Sequence, residues 1–385
     1  MIVTFYSNYL THHQIPFCLE LYRRKDVEFY FVSTMPMEEE RKAGGWGLNQ
    51  SYPFEIKAYA SEQDKKRACD LALISDVVII GSAPEEFVSL RMKHADKKLT
   101  LRYSERFYKT GRWRAISPRG MLSRYKTYFR YLNKPLYMLC ASAYTAGDLA
   151  LLGSYLGRCF KWGYFPKTYE YDVDKLLQSK EKNTIVWVAR LIDWKHPEIP
   201  VLVAKSLIEK GYNFSLNMIG VGPLKEKIEK LISDNGLSSY LNLLGAMSHE
   251  EVRGYMEKCS IFLFTSDKNE GWGAVLNEAM NSACAVVANE QIGAVPFLLK
   301  NGQNGLTFKK NKVKKITALI EDLFVDDEKR QMLAKNAYKT ITEEWCAKVS
   351  AERLIKTIEN LLNGKKTYYK DGPLSKAKIK AKDKV

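Results

Sequence analysis

The sequence lacks the clustered cysteines and histidines that small stapled or metal-bound folds require. Its seven cysteines are scattered along the chain with no close pairs. Of its five histidines, only His12 and His13 are neighbours. A disulfide framework needs paired cysteines, and a zinc site needs Cys or His side chains at short, regular spacing. The composition therefore argues against both, and it favours a reducing environment such as the cytosol.

Long apolar runs and a basic leader are lacking as well. Residues 1–5 are strand-like and carry no preceding basic region, so we expect no signal peptide. The nearest approach to a membrane span is residues 136–156, where Asp148 and small polar residues break the apolar run. Because an aspartate in the middle of a membrane helix is costly, we expect a buried pair of helices here.

Acidic residues are in short supply relative to basic ones. The chain has 385 residues, with 60 Lys and Arg against 44 Asp and Glu, which gives a formal net charge of +16. The length predicts about two domains, each with its own core. The basic excess predicts an anionic partner, which is nucleic acid, an anionic lipid surface or a phosphorylated substrate.

The basic excess is concentrated in residues 91–134, the basic segment. It has fourteen Lys and Arg but only two acids, Asp96 and Glu105, and aromatics such as Trp113 are interleaved. Apolar and basic side chains adjoin at helical spacing: Leu122, Tyr125, Phe129 and Leu132 beside Arg119, Arg124, Lys126 and Arg130. This pattern suits an anionic membrane surface. The same composition is also typical of nucleic-acid binding, and of a solvated basic face around a core stripe.

Strand-like and helix-like segments alternate along the chain. The first three, within residues 1–32, read as strand, helix and strand, which predicts a βαβ unit in a parallel sheet. The alternation restarts at residues 184–189, after a polar and charged stretch at 169–182. We therefore predict a first domain at residues 1–168, a linker over that polar stretch, and a second domain at 183–344.

Three further segments complete the predicted organisation. Residues 35–52 form a long polar, Gly-rich loop, which is a candidate lid near a site. Residues 345–363 read as a final helix introduced by Trp345. The Lys-rich residues 364–385 contain few apolar side chains, so we expect a disordered tail.

The most informative stretch begins at Glu270. It runs Glu270-Gly271-Trp272-Gly273-Ala274-Val275 after a strand-like segment and a polar turn, and a second carboxylate, Glu278, lies eight positions further on. A strand, a glycine-bearing turn and a helix point backbone N–H groups at an anion. The glycines also let the backbone approach a ligand closely. These residue types predict a ligand site in which Glu278 accepts hydrogen bonds from hydroxyls such as those of a ribose.

This stretch resembles the signature of the family 4 glycosyltransferases, which are retaining enzymes of the GT-B fold. That signature is two glutamates flanking a glycine–aromatic–glycine turn, as Glu270 and Glu278 do here. The resemblance implies an α/β protein with two facing Rossmann-like, doubly wound parallel-sheet domains and a cleft between them. It also implies that Glu270 and the backbone of residues 271–275 hold the donor sugar, that Glu278 holds the ribose, and that the final helix crosses back to the first domain.

The resemblance extends through the second predicted domain. Arg190 and Lys195 resemble the family's diphosphate-binding pair, and cations placed there stabilise the charge that the leaving group gains. The turn from Gly220 to Gly222 follows a strand, at the carboxyl end of a predicted parallel sheet, where ligands bind in open α/β folds. Met247 lies where the family's loop meets the nucleotide base, and a core or surface methionine fits this position equally well.

The first predicted domain departs from the family pattern in two places. The usual glycine-rich turn after the first strand is replaced by residues 8–14, so His13 is a candidate either to reach the cleft or to cap the following helix. Many members carry a histidine after a later strand, where this chain has Glu105. Glu105 is a candidate to accept a hydroxyl hydrogen bond or to act as a base. The alternative is an exposed ion-pair partner for Arg102 or Arg106.

The resemblance therefore implies transfer of a sugar, with retention, from a nucleotide-diphosphate sugar to an acceptor hydroxyl. Because two cations serve the diphosphate, we expect no metal, and no cofactor besides the nucleotide-sugar co-substrate. Residues 12–17 are similar to those of bacterial members in surface-polysaccharide assembly. That similarity implies a saccharide acceptor. The fourteen cations of the basic segment, with aromatics interleaved, lie in the domain that holds the acceptor in this family, and they predict a lipid-linked acceptor and an enzyme held by this segment on the inner face of the cell membrane. A nucleotide-sugar epimerase of the same architecture and a non-catalytic nucleic-acid-binding protein remain alternatives.

Overall fold

Two compact units make up the chain. The structure, a computed structural model, describes residues 1–38, 50–109, 117–366 and 369–379. Unit 1 consists of Met1–Lys167 with Cys346–Val385, and unit 2 consists of Thr168–Trp345. Within the described part of the chain, no helix combines the length and apolar character needed to cross a membrane.

Unit 1 is built on a seven-stranded parallel sheet. Its strand order is β3-β2-β1-β4-β5-β6-β7. The strands are β1 (Ile2–Ser7), β2 (Glu28–Ser33), β3 (Glu55–Lys57), β4 (Val77–Ile80), β5 (Leu99–Ser104), β6 (Leu136–Cys140) and β7 (Cys159–Lys161). All four residues of β4 are buried. Parallel strands covered on both faces have this continuous apolar character, which is why they were recognisable from the sequence.

The helices of unit 1 follow its strands in alternation. They are α1 (Ile15–Tyr22), α2 (Glu62–Ile74), α3 (Glu85–His94), α4 (Pro118–Arg124), which continues into a π-helical turn (Tyr125–Phe129), and α5 (Thr145–Ala150). Helix α2 begins where the Ser61 side chain accepts a hydrogen bond from the Asp64 N–H, a bond that satisfies one of the free donors of the first turn.

The apolar run at residues 136–156 is not the predicted pair of helices. It forms the buried strand β6 and then the six-residue helix α5. Periodicity alone cannot separate a short buried strand from a buried helix. Asp148, whose side chain is fully buried, accepts hydrogen bonds from the backbone N–H groups of Phe107 and Tyr108 at 3.0 and 3.2 Å. Asp148 therefore holds the loop at Phe107 and Tyr108 in place, a role different from that of a residue facing lipid.

Unit 2 repeats the same architecture with a six-stranded parallel sheet. Its strand order is β10-β9-β8-β11-β12-β13. The strands are β8 (Glu181–Val188), β9 (Ser215–Ile219), β10 (Leu241–Gly245), β11 (Cys259–Phe264), β12 (Ala285–Asn289) and β13 (Leu306–Phe308). The helices are α6 (Val173–Gln178), α7 (Glu198–Glu209), α8 (Lys225–Asp234), α9 (His249–Lys258), α10 (Val275–Asn281), α11 (Val295–Leu298), α12 (Val313–Val325) and α13 (Asp327–Lys339), with a 3₁₀ turn at Asp193–Lys195 and a π-helical turn at Thr340–Glu344.

The polar stretch predicted as a linker, residues 169–182, is folded into unit 2. It contains helix α6 and the start of β8. The Tyr171 N–H donates to the Tyr338 hydroxyl at 2.8 Å, and Leu177 joins the buried core of the unit. The charged composition of this stretch indicated a linker, because its few buried apolar residues stand singly among charged ones.

A final helix, α14 (Ala347–Leu362), returns to unit 1 and packs against α1. Beyond it, residues 369–379 differ from the disordered tail that we expected. Leu374 is fully buried, and its N–H donates to the Lys161 carbonyl at 2.8 Å. The Lys161 N–H in turn donates to the Ser375 carbonyl at 2.8 Å, so the segment pairs with the edge strand β7. An edge strand has unpaired backbone N–H and C=O groups, and pairing with them orders this segment despite its Lys-rich composition.

The predicted lid, residues 35–52, falls mostly at 39–49, outside the described residues.

Candidate functional site

The loops that follow β8 and β9 in unit 2 are pressed together at glycines. The Leu191 N–H donates to the Val221 carbonyl at 2.9 Å. Gly220 has a φ of 142°, and a Cβ there would lie 1.9 Å from the Ala189 oxygen. A Cβ at Gly222 would lie 2.4 Å from the Leu191 oxygen. The two glycines are therefore required for backbone packing between loops, a role that the sequence analysis had not considered beside ligand approach.

Lys195 and Glu270 form an ion pair at the carboxyl end of this sheet. Lys195 ends the 3₁₀ turn after β8, and Glu270 follows β11, the neighbouring strand. The Lys195 ammonium donates to Glu270 Oε2, and both side chains are only 11% exposed. The ammonium also lies 4.2 Å from the centre of the Trp194 ring, within cation–π distance. The structure thus brings together two residues that the sequence analysis assigned to separate parts of one ligand.

Backbone hydrogen bonds fix the loop that carries Lys195. The Thr265 hydroxyl donates to the Lys195 carbonyl at 2.8 Å, and itself accepts the Trp187 indole N–H at 2.8 Å. The Asp267 N–H donates to the Trp194 carbonyl at 3.0 Å. Thr265 and Trp187 are buried, so these bonds exchange little with water. The Lys195 side chain therefore projects from a loop that is held in place along its backbone.

The turn after Glu270 is shaped by Gly273. Its φ is 91°, and a Cβ there would lie 2.8 Å from the Phe264 ring. The Glu270 N–H donates to the Asp267 carbonyl at 3.1 Å, which closes the polar turn before it. Helix α10 begins at Val275, directly after Ala274. The turn brings Glu270 and the start of α10 close together over β11.

The Trp272 indole belongs to the interior of unit 2. It is 1% exposed, and its N–H donates to Asn277 Oδ1 at 2.9 Å. Its ring centre lies 5.9 Å from that of Trp345 and 6.4 Å from that of Phe297. The Trp272 side chain therefore anchors the turn to the interior of unit 2. Only the backbone of Trp272 is left for the predicted contact with the donor.

Glu278 lies on α10, in an environment that disfavours its charge. Burial raises the pKa of the Glu278 carboxyl, while the positive charges of His249 and Arg253 oppose the increase. Burial therefore disfavours the ionised form of the Glu278 carboxyl group. Its predicted contact with a ribose remains a prediction.

Arg190 and Met247 lie in two loops at the same edge of the sheet, after β8 and after β10, and β9 separates these strands. The Arg190 side chain is exposed, and among the described residues its guanidinium has no hydrogen-bond or ion-pair partner. Met247 is partly exposed in the loop after β10. Their contact with a ligand stays a prediction.

His196, which the sequence analysis did not single out, lies between two carboxylates. Its Nδ1 is 2.9 Å from Glu198 Oε1, and its Nε2 is 3.5 Å from Asp267 Oδ2. The hydrogen bond with Asp267, followed by that with Glu198, raises the pKa of His196 to about 9. A histidine directly after a candidate phosphate-binding lysine was the available signal, but its partner Asp267 is distant in the sequence.

The two candidates in unit 1 lie near one aromatic cluster. His13 is buried, with its ring centre 3.8 Å from that of His12 and 6.0 Å from that of Tyr164. The N-cap residue of helix α1 is Gln14, whose side chain makes no capping hydrogen bond, so His13 does not occupy the N-cap position. Glu105 accepts a hydrogen bond from the Tyr164 hydroxyl at 2.8 Å.

The ion-pair partner of Glu105 differs from both expected arginines. Lys109 donates to Glu105 Oε2 at 2.9 Å. Arg106 instead approaches the buried Asp148, with Nε 3.9 Å from Oδ2, and lies over the Tyr144 ring. Asp148 attracts Arg106 because a buried carboxylate needs compensating charge, and this interaction was not visible from sequence spacing.

Not every cation of the basic segment faces solvent. Arg91 is fully buried and donates to the carbonyls of Ala72, Ser75, Asp76 and Leu99 and to the Thr100 hydroxyl. Lys134 forms an ion pair with Asp96. Arg119, Lys126 and Arg130 are exposed, next to the exposed apolar side chains of Met121, Leu122 and Tyr125. Trp113 lies outside the described residues.

The fold defined by these two units is GT-B, as predicted. It consists of Rossmann-like domains with parallel sheets of seven and six strands. Among solved structures, the chain is similar to Anabaena HepE in complex with UDP, with a TM-score of 0.67 over 93% of this chain and 99% of HepE, at 12% identity. At that identity, the similarity concerns the fold alone.

Residues 169–340 match the family model described as glycosyl transferases group 1. This match covers the whole candidate site in unit 2. The chain is 34% identical to an uncharacterized glycosyltransferase of Methanocaldococcus jannaschii, over 38% of this chain and 39% of that protein. It is 28% identical to the amylovoran biosynthesis glycosyltransferase AmsK of Erwinia amylovora, over 35% of this chain and 34% of AmsK. The chain thus matches less than half the length of these curated relatives.

Proposed function

We propose that this protein is a retaining, metal-independent glycosyltransferase that moves a sugar from a nucleotide-diphosphate sugar to a saccharide hydroxyl. One observation carries the proposal: Lys195 and Glu270 form an ion pair at the carboxyl end of the unit 2 sheet, inside the segment that matches glycosyl transferases group 1. An ammonium group suits a diphosphate, and a carboxylate suits sugar hydroxyls. Both occupy the edge of a parallel sheet where ligands bind in α/β folds.

In this proposal, Arg190 and Lys195 bind the diphosphate. Negative charge builds up on the diphosphate as the sugar leaves, and fixed cations in a water-poor site stabilise that change strongly. Lys195 is 11% exposed, and hydrogen bonds hold the backbone of its loop, so the loop itself need not move when the diphosphate binds. Arg190 is exposed and able to approach an arriving ligand. Two cations supply the charge that a divalent metal ion would otherwise supply.

Glu270, the turn that follows it and Glu278 bind the rest of the donor. On binding, the phosphate would replace Glu270 as the partner of Lys195, and sugar hydroxyls would replace Lys195 as the partners of Glu270. Gly273, with its left-handed φ, shapes the turn whose backbone N–H groups would contact the sugar. Glu278 would accept hydrogen bonds from the ribose, and Met247 would contact the base, beside the loop of Gly220 and Gly222.

We assign the acceptor to unit 1, as a saccharide, lipid-linked, in cell-surface polysaccharide synthesis. Support comes from the cluster of His13, Tyr164 and Glu105, because aromatic rings beside a carboxylate suit a sugar. The name of AmsK, which acts in amylovoran biosynthesis, agrees with this class of acceptor.

The exposed part of the basic segment is proposed to hold the enzyme on the inner face of the cell membrane. Arg119, Lys126 and Arg130 would face anionic headgroups, while neighbours such as Leu122 and Tyr125 enter the interface. Each cation near an anionic bilayer is worth about 1 kcal/mol, and salt screens this attraction.

A thermal-shift screen against a panel of nucleotide sugars tests the proposed function. A ligand present at about 100 times its Kd stabilises the folded protein by about 2.7 kcal/mol, which is readily measured. We expect one nucleotide sugar and its nucleoside diphosphate to raise the Tm, and the matching nucleoside to leave it unchanged. No shift with any nucleotide sugar, together with salt-dependent binding of RNA or DNA, would favour the nucleic-acid-binding alternative.

A further inference from the structure

His196 has an unusual backbone conformation within the candidate donor site. Its φ of 54° lies in the left-handed region, which residues other than glycine adopt rarely, although Asn, Asp and His do so more often than most. The residue directly follows Lys195 and ends the 3₁₀ turn. Such a conformation persists where the surroundings hold it, and residues of this kind cluster at functional sites.

Two carboxylates, from different elements, hold the His196 ring. Glu198, the first residue of α7, lies 2.9 Å from Nδ1, and Asp267, in the loop after β11, lies 3.5 Å from Nε2. An ionised carboxylate only accepts hydrogen bonds, and a neutral imidazole has a single N–H. The imidazolium, which can donate from both nitrogens, is therefore the form that suits both carboxylates. The raised pKa of His196, about 9, agrees with this protonation state.

Asp267 connects this imidazolium to both members of the Lys195–Glu270 ion pair. Its N–H donates to the Trp194 carbonyl at 3.0 Å, one residue before Lys195. Its carbonyl accepts the Glu270 N–H at 3.1 Å. A side chain that holds Asp267 therefore acts on the loop of Lys195 and on the loop of Glu270 together.

We propose that His196 is a positioning residue, a doubly protonated bridge from Glu198 to Asp267 that holds the Lys195 and Glu270 loops in the arrangement that receives a nucleoside diphosphate. This inference rests on the proposed function. Besides the two carboxylates, Lys227 on α8 influences the bridge, because its charge favours ionised Glu198. Loss of one ring proton at alkaline pH leaves a carboxylate facing a nitrogen lone pair. The bridge then opens, and diphosphate binding weakens.

The first test measures the protonation state of the ring directly. The full-length protein is labelled with ¹⁵N-histidine, and ring-nitrogen spectra are recorded from pH 6 to 10 for the wild type and for His196→Asn. We expect the resonance that is lost in the variant to be doubly protonated at pH 7.5 and to titrate near the pKa of about 9. A neutral tautomer at pH 7.5 would overturn the bridge.

The second test measures binding of UDP, GDP and ADP by calorimetry at pH 7.5 and 9.5. Asparagine adopts the left-handed conformation readily, so His196→Asn removes the charge and leaves the backbone preference. We expect the wild type to bind its preferred diphosphate about tenfold more weakly at pH 9.5. His196→Asn should bind about tenfold more weakly than the wild type at pH 7.5, with no further pH dependence. The control, His94→Asn, changes an exposed histidine of unit 1 and should follow the wild type.

The outcomes separate the inference from the proposed function. Equal diphosphate affinity of the wild type and His196→Asn at pH 7.5 would overturn the positioning role while leaving the donor site in place. If no diphosphate binds the wild type at either pH, the proposed function and the role of His196 in it both fail. In that case the nitrogen spectra still decide whether the bridge itself exists.

Discussion

The two parallel sheets are alike, but the loops at their carboxyl ends are built from different residues. In unit 2, charged side chains converge there, with Lys195 on Glu270 and His196 on Asp267. In unit 1, Tyr164 contacts both Glu105 and the ring of His13 in an aromatic cluster. A common scaffold thus presents two chemistries, one suited to phosphate and one to sugar rings. The difference teaches that function here is carried by loops, while the strands provide the support.

The substitution with the largest expected effect disrupts the loop packing on which the charged arrangement of unit 2 depends. A Cβ at Gly220 meets the Ala189 oxygen at 1.9 Å, with φ at 142°. Gly220→Ala should therefore destabilise unit 2 by about 3 kcal/mol or more, measured by urea unfolding. The control is Gly254→Ala on α9, where a Cβ meets no atom within 4 Å. This control should be neutral or stabilising by up to about 1 kcal/mol, and equal losses in both variants would contradict the packing account.

Removing Lys195 tests the charged side of the comparison. Lys195→Ala should lower turnover by about 10²-fold or more, as loss of one electrostatic stabiliser commonly does. It should also lower the Tm, because Glu270 is left 11% exposed without its ion-pair partner. Lys195→Met combined with Glu270→Gln should recover the Tm but not the turnover, and Lys230→Ala, an exposed lysine on α8, should change neither. Recovery of turnover together with the Tm would contradict a role in chemistry.

The two glutamates of unit 2 should separate kinetically. Glu270→Gln should mainly lower kcat, because the proposed contact of Glu270 is to the transferred sugar. Glu278→Gln keeps its size and its hydrogen-bonding capacity, and should mainly raise the donor KM. Since burial raises the pKa of Glu278, the wild-type donor KM should also rise on acidification, beginning above the usual pKa of a glutamate. Steady-state kinetics from pH 4.5 to 8 measures both effects, and a reversed kcat and KM pattern would exchange the assigned roles.

The basic segment of unit 1 should carry the membrane contact. Replacing Arg119, Lys126 and Arg130 with Gln should reduce the affinity for anionic vesicles, measured by sedimentation at low salt, by about 10²-fold, because each cation contributes about 1 kcal/mol. Donor binding should not change, because the residues proposed to bind the donor lie in unit 2. The control replaces Lys225, Lys230 and Lys314, three exposed lysines of unit 2, with Gln. Undiminished vesicle binding by the unit 1 variant would leave its basic face as a solvated surface.

The smallest expected effect is a pH-dependent stability of unit 2. His196 has a pKa raised to about 9 from 6.5, so protonation favours the folded state. Its contribution is complete below about pH 6.5 and is lost as the pH rises through about 9. The Tm of the wild type should therefore fall over this pH window more steeply than the Tm of His196→Asn. Parallel curves would show that the ion bridge adds nothing to stability.

Much of the fold could be predicted from the sequence, because buried parallel strands read as short apolar runs. Residues 77–80 are such a run and form β4. Errors arose where composition and environment disagree. The run at 136–156 was predicted as helical although it contains a strand, because its length is compatible with either. Residues 369–379 are ordered because they pair with an edge strand, and no local pattern in the sequence reveals this pairing.

The candidate site was predictable only where its residues share one short motif. Glu270 and Glu278 could be found together because they lie eight positions apart around a glycine turn. The ion pair of Lys195 with Glu270 joins residues 75 positions apart, so its existence depends on the neighbouring strands β8 and β11. The burial of the Trp272 indole and the two partners of His196 likewise follow from tertiary packing, which the motif does not contain.

Proton NMR of nucleotide-sugar consumption tests the central claim most directly. The wild type is incubated with the nucleotide sugar that gives the largest thermal shift and with a saccharide acceptor mixture, beside the Lys195→Met and Glu270→Gln double variant. The account predicts release of the nucleoside diphosphate and a new glycoside with the anomeric configuration of the donor, formed by the wild type alone. Appearance of an epimeric sugar without glycoside, or equal consumption by the double variant, would contradict it.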